Sequence, residues 1–432
     1  MLKNKIQFII LIFILSLFPI SETIAQSNIS SPYSAFGLGN LSDANNVRNR
    51  SMGGLGIGTR DYFTVNVANP ASYSAFDSTS FLFEGGAYGH YTILKTDDIN
   101  EEIASASLSH LLMGFPITKW WRTSLGLMPF SQVGYDVNDH KVLENIGNTQ
   151  YIFEGSGGIS KFNWGNSVQP FKNFSIGLNA SYLFGTVDRV GKVTFPDSVN
   201  MISTMANNTL TINDVDFEFG VQYHTQLKNK YKIVIGATYH PEQNLETHQN
   251  SMVRSYKGTV GTQELILDTI SITDNEFGSI VFPQTIGFGF TVASGYKWMV
   301  GVDYKFEEWS QFKAYNLYDS LSNRQIFRLG GHFIPDQNSS NYINRVDFRL
   351  GGHYNISYLY LRDEQLDGFG ITFGLGLPVS RSGIRGTRSM INLGFEIGKI
   401  GTTNKNLIQE NYYNIYLSVS IFERWFIKRR YR

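Results

Sequence analysis

Residues 413–421 read Tyr413-Asn414-Ile415-Tyr416-Leu417-Ser418-Val419-Ser420-Ile421, and they decide the fold class. Tyr413, Ile415, Leu417, Val419 and Ile421 alternate with Asn414, Tyr416, Ser418 and Ser420. A period of two puts each set on its own face of a sheet. The same pattern runs through 174–185, where Phe174, Ile176, Leu178, Ala180, Tyr182 and Phe184 alternate with Ser175, Gly177, Asn179 and Ser181. It recurs at 298–307 and 391–398. The polar set is mostly Gly, Ser, Thr and Asn, and the apolar set is large and aromatic. Many of these strands reach about ten residues or more, against about five or six in soluble sheets. That is the length a tilted strand needs to cross a bilayer, roughly 9–11 residues. The pattern predicts an all-β chain forming a transmembrane antiparallel β-barrel.

Working outward, about fourteen such segments can be marked: 78–94, 101–115, 121–138, 148–165, 172–187, 209–225, 231–246, 248–268, 281–293, 297–311, 342–358, 368–379, 388–399 and 411–423. The connections at 188–208, 312–341 and 400–410 are polar and rich in Asn or Ser, which suits outer loops. The composition agrees, with 32 Phe, 24 Tyr, 6 Trp and 42 Gly; aromatic girdles are expected of membrane barrels. After residue 26 no apolar run is long enough for a spanning helix. Before the barrel come two other pieces. Residues 1–26 have a basic start at Lys3 and Lys5, an apolar core from Phe8 to Phe18 and small or polar residues near Ala25 and Gln26. That is the order of a cleaved secretory signal, with a core too short to span a membrane. Residues 27–77 carry no strand pattern of useful length. Backbone of this kind cannot face lipid, so it must lie within protein or outside the membrane. A hatch inside the lumen, with the barrel at 78–432, meets that constraint and places the chain in a bacterial outer membrane.

Several function classes drop out. Loss of Lys3, Lys5 and Glu22 with the signal leaves a net charge near −1, without the basic excess a nucleic-acid partner requires. There is no cysteine, so disulfides, thiolate metal sites and thiol catalysis are excluded. The eight His are scattered without metal-ligand spacing, and no Gly-x-Ser-x-Gly occurs. The reading is therefore not an enzyme, with no cofactor and no metal.

Three features carry site hypotheses. Pro129, within Leu127-Met128-Pro129-Phe130, falls in the third strand, with Gly134 after it. Proline supplies no ladder donor and belongs at edges, bulges or rims. Either Pro129 lies at the barrel rim, or it marks a kink and opening in the wall lined by Phe130 and Gly134. Next, Gly53, Gly54, Gly56 and Gly58 lack the Gly-Lys-Ser/Thr of a phosphate loop and read as tight backbone packing in the hatch. Finally, alternation turns Asp216, Glu218, Asp303, Lys305, Glu307, Asp347, Arg349 and Glu396 inward, with Arg48, Arg50 and Arg60 as plausible partners. They form either a paired lumen surface or a polar gate.

The order of these pieces resembles the long-chain fatty-acid transporter family of outer-membrane proteins. The residues that carry it are Asn69-Pro70-Ala71 before the first strand, then Phe282-Pro283-Gln284-Thr285-Ile286-Gly287, and Trp309-Ser310-Gln311-Phe312 after a hairpin. The ending from Glu423 to Tyr431 is similar to the tails of barrels from Bacteroidota. The resemblance implies a fourteen-stranded barrel with an N-terminal hatch and a hydrophobic small-molecule ligand that leaves sideways near the third-strand kink. Its partners would be outer-membrane lipids and other envelope proteins. Bacteroidota relatives of that shape also imply a second role, as a non-transporting subunit in protein secretion or outer-membrane assembly.

Overall fold

The computed structural model describes residues 31–425, apart from 44, 98, 145, 198–200, 229, 258–264, 316, 319–320 and 380–387. The expectations for the signal at 1–26 and the basic tail at 428–432 lie outside the described residues. Fourteen staves form one antiparallel sheet. They are β1 (Ser80–Lys95), β2 (Asn100–Pro116), β3 (Trp121–Leu143), β4 (Gly147–Phe171), β5 (Phe174–Thr194) and β6 (Ser203–Leu227). Then come β7 (Tyr231–His240 with Gln243–Lys257) and β8 (Leu265–Phe282 with Thr285–Ser294). The last six are β9 (Trp298–Glu307), β10 (Arg324–Phe333), β11 (Asp347–Ile356), β12 (Gly368–Pro378), β13 (Met390–Ile400) and β14 (Gln409–Arg424). β14 pairs with β1 from Gln409↔Lys95 to Arg424↔Ser80, which closes the barrel. No helix among the described residues is long and apolar enough to cross a membrane.

The count of fourteen agrees with the sequence reading, but two of its parts do not. The segments 231–246 and 248–268 are largely one stave, β7, interrupted at Pro241-Glu242. The interruption at Pro283-Gln284 in β8 lies directly opposite, since His240 pairs with Thr285 and Gln243 with Phe282. Each proline removes a donor and bends the ladder there without ending it. The 312–341 stretch, taken as a loop, contains β10. One stave too many and one too few cancelled.

The staves differ greatly in height. β9 and β10 have 10 residues each, while β4 and β6 have 25. Ten residues extend about 33 Å along the strand and cross, tilted, an apolar band about 25 Å tall. The surplus of β3–β8 therefore rises as a wall at one end, called here the upper end. At the lower end Ser80 and Arg424 lie side by side, and β4–β5, β6–β7 and β8–β9 turn tightly.

Alternation sorts the faces as expected. Leu417 is 48% exposed and Ser418 only 1%; Asn179 and Asn392 are likewise buried while Leu178 and Leu393 face out. Leu417→Lys is expected to destabilise the folded barrel by about 2–4 kcal/mol, read from denaturant titration in lipid vesicles. The inward positions are less forgiving than an open lumen would make them. Ser418 donates to Glu84 Oε1 at 3.2 Å, with no room for a lysine, so Ser418→Lys is also expected to fold poorly.

The inward face is covered by the chain from Ser31 to Phe76. It holds a two-residue strand Asn40–Leu41, a single helical turn Val47–Arg50 capped by Asn46, and a 3₁₀ turn Pro70–Ala75 capped by Asn69. Its apolar side chains pack on those of the staves. Tyr33 and Leu38 join Phe130, Phe282, Trp309 and Tyr358 in one cluster; Val65, Val67, Tyr73 and Phe76 join Leu82, Leu112 and Phe422 in a second.

Candidate functional site

Among the described residues the wall has one weak seam. β2 pairs with β3 only between Leu111↔Leu127 and Pro116↔Arg122. Yet β2 stays paired with β1 to Asn100, and β3 stays paired with β4 to Leu143. Above Leu127 the two neighbours part. Pro129 stands just above that point, inside the wall and opposite Ser160, and not at a rim. The register slips between Pro129 and Ser131, so Phe130 is the extra residue of a bulge. Its ring turns inward, 5.5 Å from that of Phe282.

The freed edge of β3 is taken up by the N-terminal segment. Asn40 and Leu41 pair with Gln132 and Ser131. Ser42 N–H donates to the Phe130 carbonyl at 2.9 Å and Ser31 N–H to that of Gly134 at 3.1 Å. Gly134 N–H donates to Ser34 Oγ at 3.1 Å. Gly39 makes this approach possible: its φ is +92°, and a Cβ there would stand 2.6 Å from the Gln132 carbonyl oxygen. Pro129, Phe130 and Gly134, chosen from sequence, thus meet at one seam.

Behind the seam lies a small charged chamber of about 90 Å³, lined by Phe130, Asp43, Lys161, Asp216, His240 and Arg324 among others. Its charges are matched. Arg328 Nη2 lies 2.6 Å from Asp43 Oδ2. Burial opposes ionisation, but Arg328 and Arg324 hold the Asp43 carboxyl well below the usual carboxylate range. Glu307 accepts from Lys305 Nζ at 2.7 Å and from Trp309 Nε1 at 2.7 Å. Asp216 pairs with His240.

The glycine stretch does more than pack closely. The N–H groups of Gly56 and Ile57 donate to Asp303 Oδ2 at 2.7 and 2.8 Å, and that of Gly58 to Oδ1 at 3.3 Å. The loop is an anion cradle, and its anion is a carboxylate of β9. The other predicted inward charges are also bound. Asp347 accepts from Arg349 Nη2 at 3.0 Å and pairs with His332 at 2.9 Å; Glu396 accepts from Tyr416 at 2.7 Å and Tyr412 at 3.1 Å. Glu218 accepts from Asn179 at 3.3 Å.

Of the expected arginine pairings, that of Arg48 is found and those of Arg50 and Arg60 are not, among the described residues. Arg48 lies 3.9 Å from Asp347, but its nearer partner is Asp61 at 2.7 Å, within its own segment. Burial works against it, yet Arg48 and Arg388 lower the Asp61 carboxyl to about 2. Arg50 donates to the Asp43 and Asn45 carbonyls. Arg60 donates to Ala71 O, Ser74 and Gln222. Neither makes an ion pair with a stave among the described residues.

Asn69, Pro70 and Ala71 sit where the segment touches the wall most closely. Asn69 Nδ2 donates to Ile57 O at 2.9 Å and to Val221 O at 3.3 Å. A Cβ on Gly177 would stand 2.3 Å from Pro70 C. Sequence reasoning missed Asp43, His240, Arg324 and Arg328, and also the cations of the lower end. For those on the staves the sequence signal is an inward register position, which does not say what barrel closure sets beside them; Asp43, in the segment, has none.

A family model described as BamG matches residues 1–432. The chain belongs to the BamG family. A search of curated sequences finds no match for this BamG-family chain. Among solved structures it is similar to a Pseudomonas aeruginosa FadL homologue, at 11% identity and a TM-score of 0.58, over 89% of this chain and 99% of the other. The Pseudomonas putida toluene transporter TodX aligns at 17% identity and a TM-score of 0.58, over 90% and 99%. The Ralstonia pickettii toluene transporter TbuX aligns at 11% and 0.55, over 88% and 98%. At such identities the likeness is one of fold. The resemblance read from sequence holds at that level: the chain shares the closed fourteen-stranded barrel of these structures.

Proposed function

We propose that the chain is an outer-membrane barrel that passes hydrophobic small molecules sideways through its wall, with the N-terminal segment as hatch. The observation that carries this reading is the seam above Leu127, where β2 and β3 part and only residues 31–42 cover the edge of β3. An apolar molecule prefers an apolar setting by about 0.8 kcal/mol per CH₂, so a route from protein into bilayer suits it better than a watery axial pore. The names of the fold neighbours, toluene transporters and a monoaromatic hydrocarbon channel, support a hydrophobic ligand. A long-chain fatty acid remains the specific candidate from the sequence resemblance. On this reading the lower end faces the periplasm, as chain ends and tight turns do in such barrels.

A second reading has its own observation. The cavity behind the seam is small and charged, and the apolar side chains above it are packed together. Meanwhile the tall wall exposes Leu265, Ile266, Ile270, Ile272 and Phe277 at 52–63%. A filled barrel with apolar side chains on its outer wall suits a subunit that binds other envelope proteins in secretion or outer-membrane assembly.

One lock separates the two. Leu41 and Ser131 are register partners and the chain has no cysteine, so Leu41→Cys with Ser131→Cys gives a single disulfide that pins the hatch to β3. Under the transport reading, oxidation is expected to abolish uptake of a labelled alkane or fatty acid into cells, and reduction to restore it. Full uptake with the disulfide formed would refute the lateral route. No uptake in the unmodified protein would favour the assembly role.

A further inference from the structure

The lower end of the barrel holds cations that the transport reading does not use. Two cavities, of about 590 and 690 Å³, meet there and share Arg60, Tyr62, His224 and Tyr296. Each has the size of an ordinary ligand pocket, roughly 300–1,000 Å³. Their walls carry eight Lys and Arg but only Asp61 and Asp77 as acids, in a chain whose formal net charge is zero. Arg48 is spent on Asp61 and Arg424 lies 3.6 Å from Asp77. Arg60, Arg122, Lys232 and Arg388 have no carboxylate within 4.0 Å among the described residues. They hold on to weaker partners instead. Arg122 donates to the Phe76 carbonyl and Lys232 to that of Arg60. Arg388 lies over the rings of Phe63 and Tyr296, at 5.2 and 5.3 Å. Lys232 stands 5.1 Å from the ring centre of Tyr62. Burial lowers the Arg60 guanidinium to about 10; Arg122 adds to this and Tyr62 opposes it. Half-buried cations placed together without counter-charge repel one another, and an anion entering between them relieves that repulsion.

We propose that this bowl binds an acidic, carboxylate-rich peptide segment of another envelope protein. Three features select that class. Arginine forks match carboxylates in a bidentate way. The joined cavities extend across the mouth of the barrel, which suits a ligand with several charges along its length better than one compact ion. The aromatic walls formed by Tyr62, Phe63 and Tyr296 suit the apolar parts of a peptide. Arg60, Arg122, Lys232 and Arg388, the cations without a carboxylate, are half-buried on the inward side, so the staves separate them from lipid headgroups around the barrel.

The test uses the full chain in detergent, with heat-modifiable gel mobility as the check of folding. A fluorescent Glu-rich decapeptide is titrated and anisotropy followed, with a Lys-rich decapeptide beside it. Only the acidic peptide is expected to bind, and increasingly weakly as salt rises. Lys232→Gln with Arg388→Gln should weaken it about tenfold or more. Because Lys232 bonds the segment, a second variant, Lys172→Glu with Lys230→Glu in the exposed turns, should weaken it too without disturbing the fold. Failure of the acidic peptide to bind, or binding by both variants as tight as by the wild type, would overturn the proposal. So would inorganic phosphate, citrate or anionic vesicles binding where the peptide does not. None of these outcomes depends on whether the seam transports a ligand.

Discussion

Gly236→Val is expected to expel the N-terminal segment from its seat or to stop the barrel folding around it. A Cβ at Gly236 would stand 2.1 Å from the Ile57 carbonyl oxygen. Its register partner Gly289 is equally confined, with Gly58 N and Asp303 Oδ1 both 2.3 Å from where a Cβ would be. The obstacle in each case is backbone or a bound carboxylate, neither of which can swing away as a long side chain would. The Ile57 carbonyl is also fixed from two sides, accepting from Asn69 Nδ2 at 2.9 Å and Gln222 Nε2 at 3.1 Å. Overpacking of this sort costs about 3 kcal/mol or more where relaxation is blocked. The readout is trypsin cleavage after Arg48 and Arg50, which the native packing shields. Rapid cleavage in Gly236→Val, with slow cleavage in Gly89→Ala, is the expected pattern; Gly89 has nothing within 4 Å of its Cβ position. Equal resistance in both would mean that the segment is not held by this close approach.

The same glycines show how far the sequence could be read. Inward alternation of Gly with Ser, Thr and Asn marks the buried face wherever the outward set is continuous, as in β5, β13 and β14. It fails in β10, where Ile326 turns inward and Gly330-Gly331 dilutes the pattern inside an Asn- and Ser-rich stretch. Gly330 is small because the Met52 carbonyl lies 2.3 Å from its Cβ position, a contact that exists only once the segment is in place. The break set between 246 and 248 fell inside one stave: β7 runs past Pro241 to Lys257, because Pro283 interrupts the neighbouring stave at the same height and the two ladders resume together. Pro129 was legible as one of two things, a rim residue or a break in the wall, since proline supplies no ladder donor in either place. What covers the break was not, because residues 31–42 carry no pattern that names β3 as their partner. The cations of the lower end stand on staves and turns far apart in the chain and gather only when the barrel closes.

The glycine loop also sets the largest polar effect expected in the molecule. Asp303→Ala removes the acceptor of three N–H groups, those of Gly56, Ile57 and Gly58. Asp303 is 4% exposed, so water does not freely replace the carboxylate. A buried donor left unsatisfied costs about 1–3 kcal/mol, and three of them amount to several kcal/mol. The loss does not come from an abandoned arginine, because Arg328 keeps its bond to Asp43 at 2.6 Å. Asp303→Asn retains one carbonyl oxygen and should fall between the wild type and alanine. Hydrogen exchange gives the clearest measurement. In Asp303→Ala the amides of 56–58 should lose protection while the ladder of β12 with β13, which Asp303 does not bond, keeps its own. Thermal unfolding in detergent should shift downward in the same order of variants. Were protection at 56–58 unchanged, the loop would be held by its fit against Gly236 and Gly289 alone, and the carboxylate would contribute little. The two substitutions thus approach the seat of the segment from its steric and its electrostatic side, since Gly236→Val keeps the Asp303 carboxylate and Asp303→Ala keeps the glycine approach.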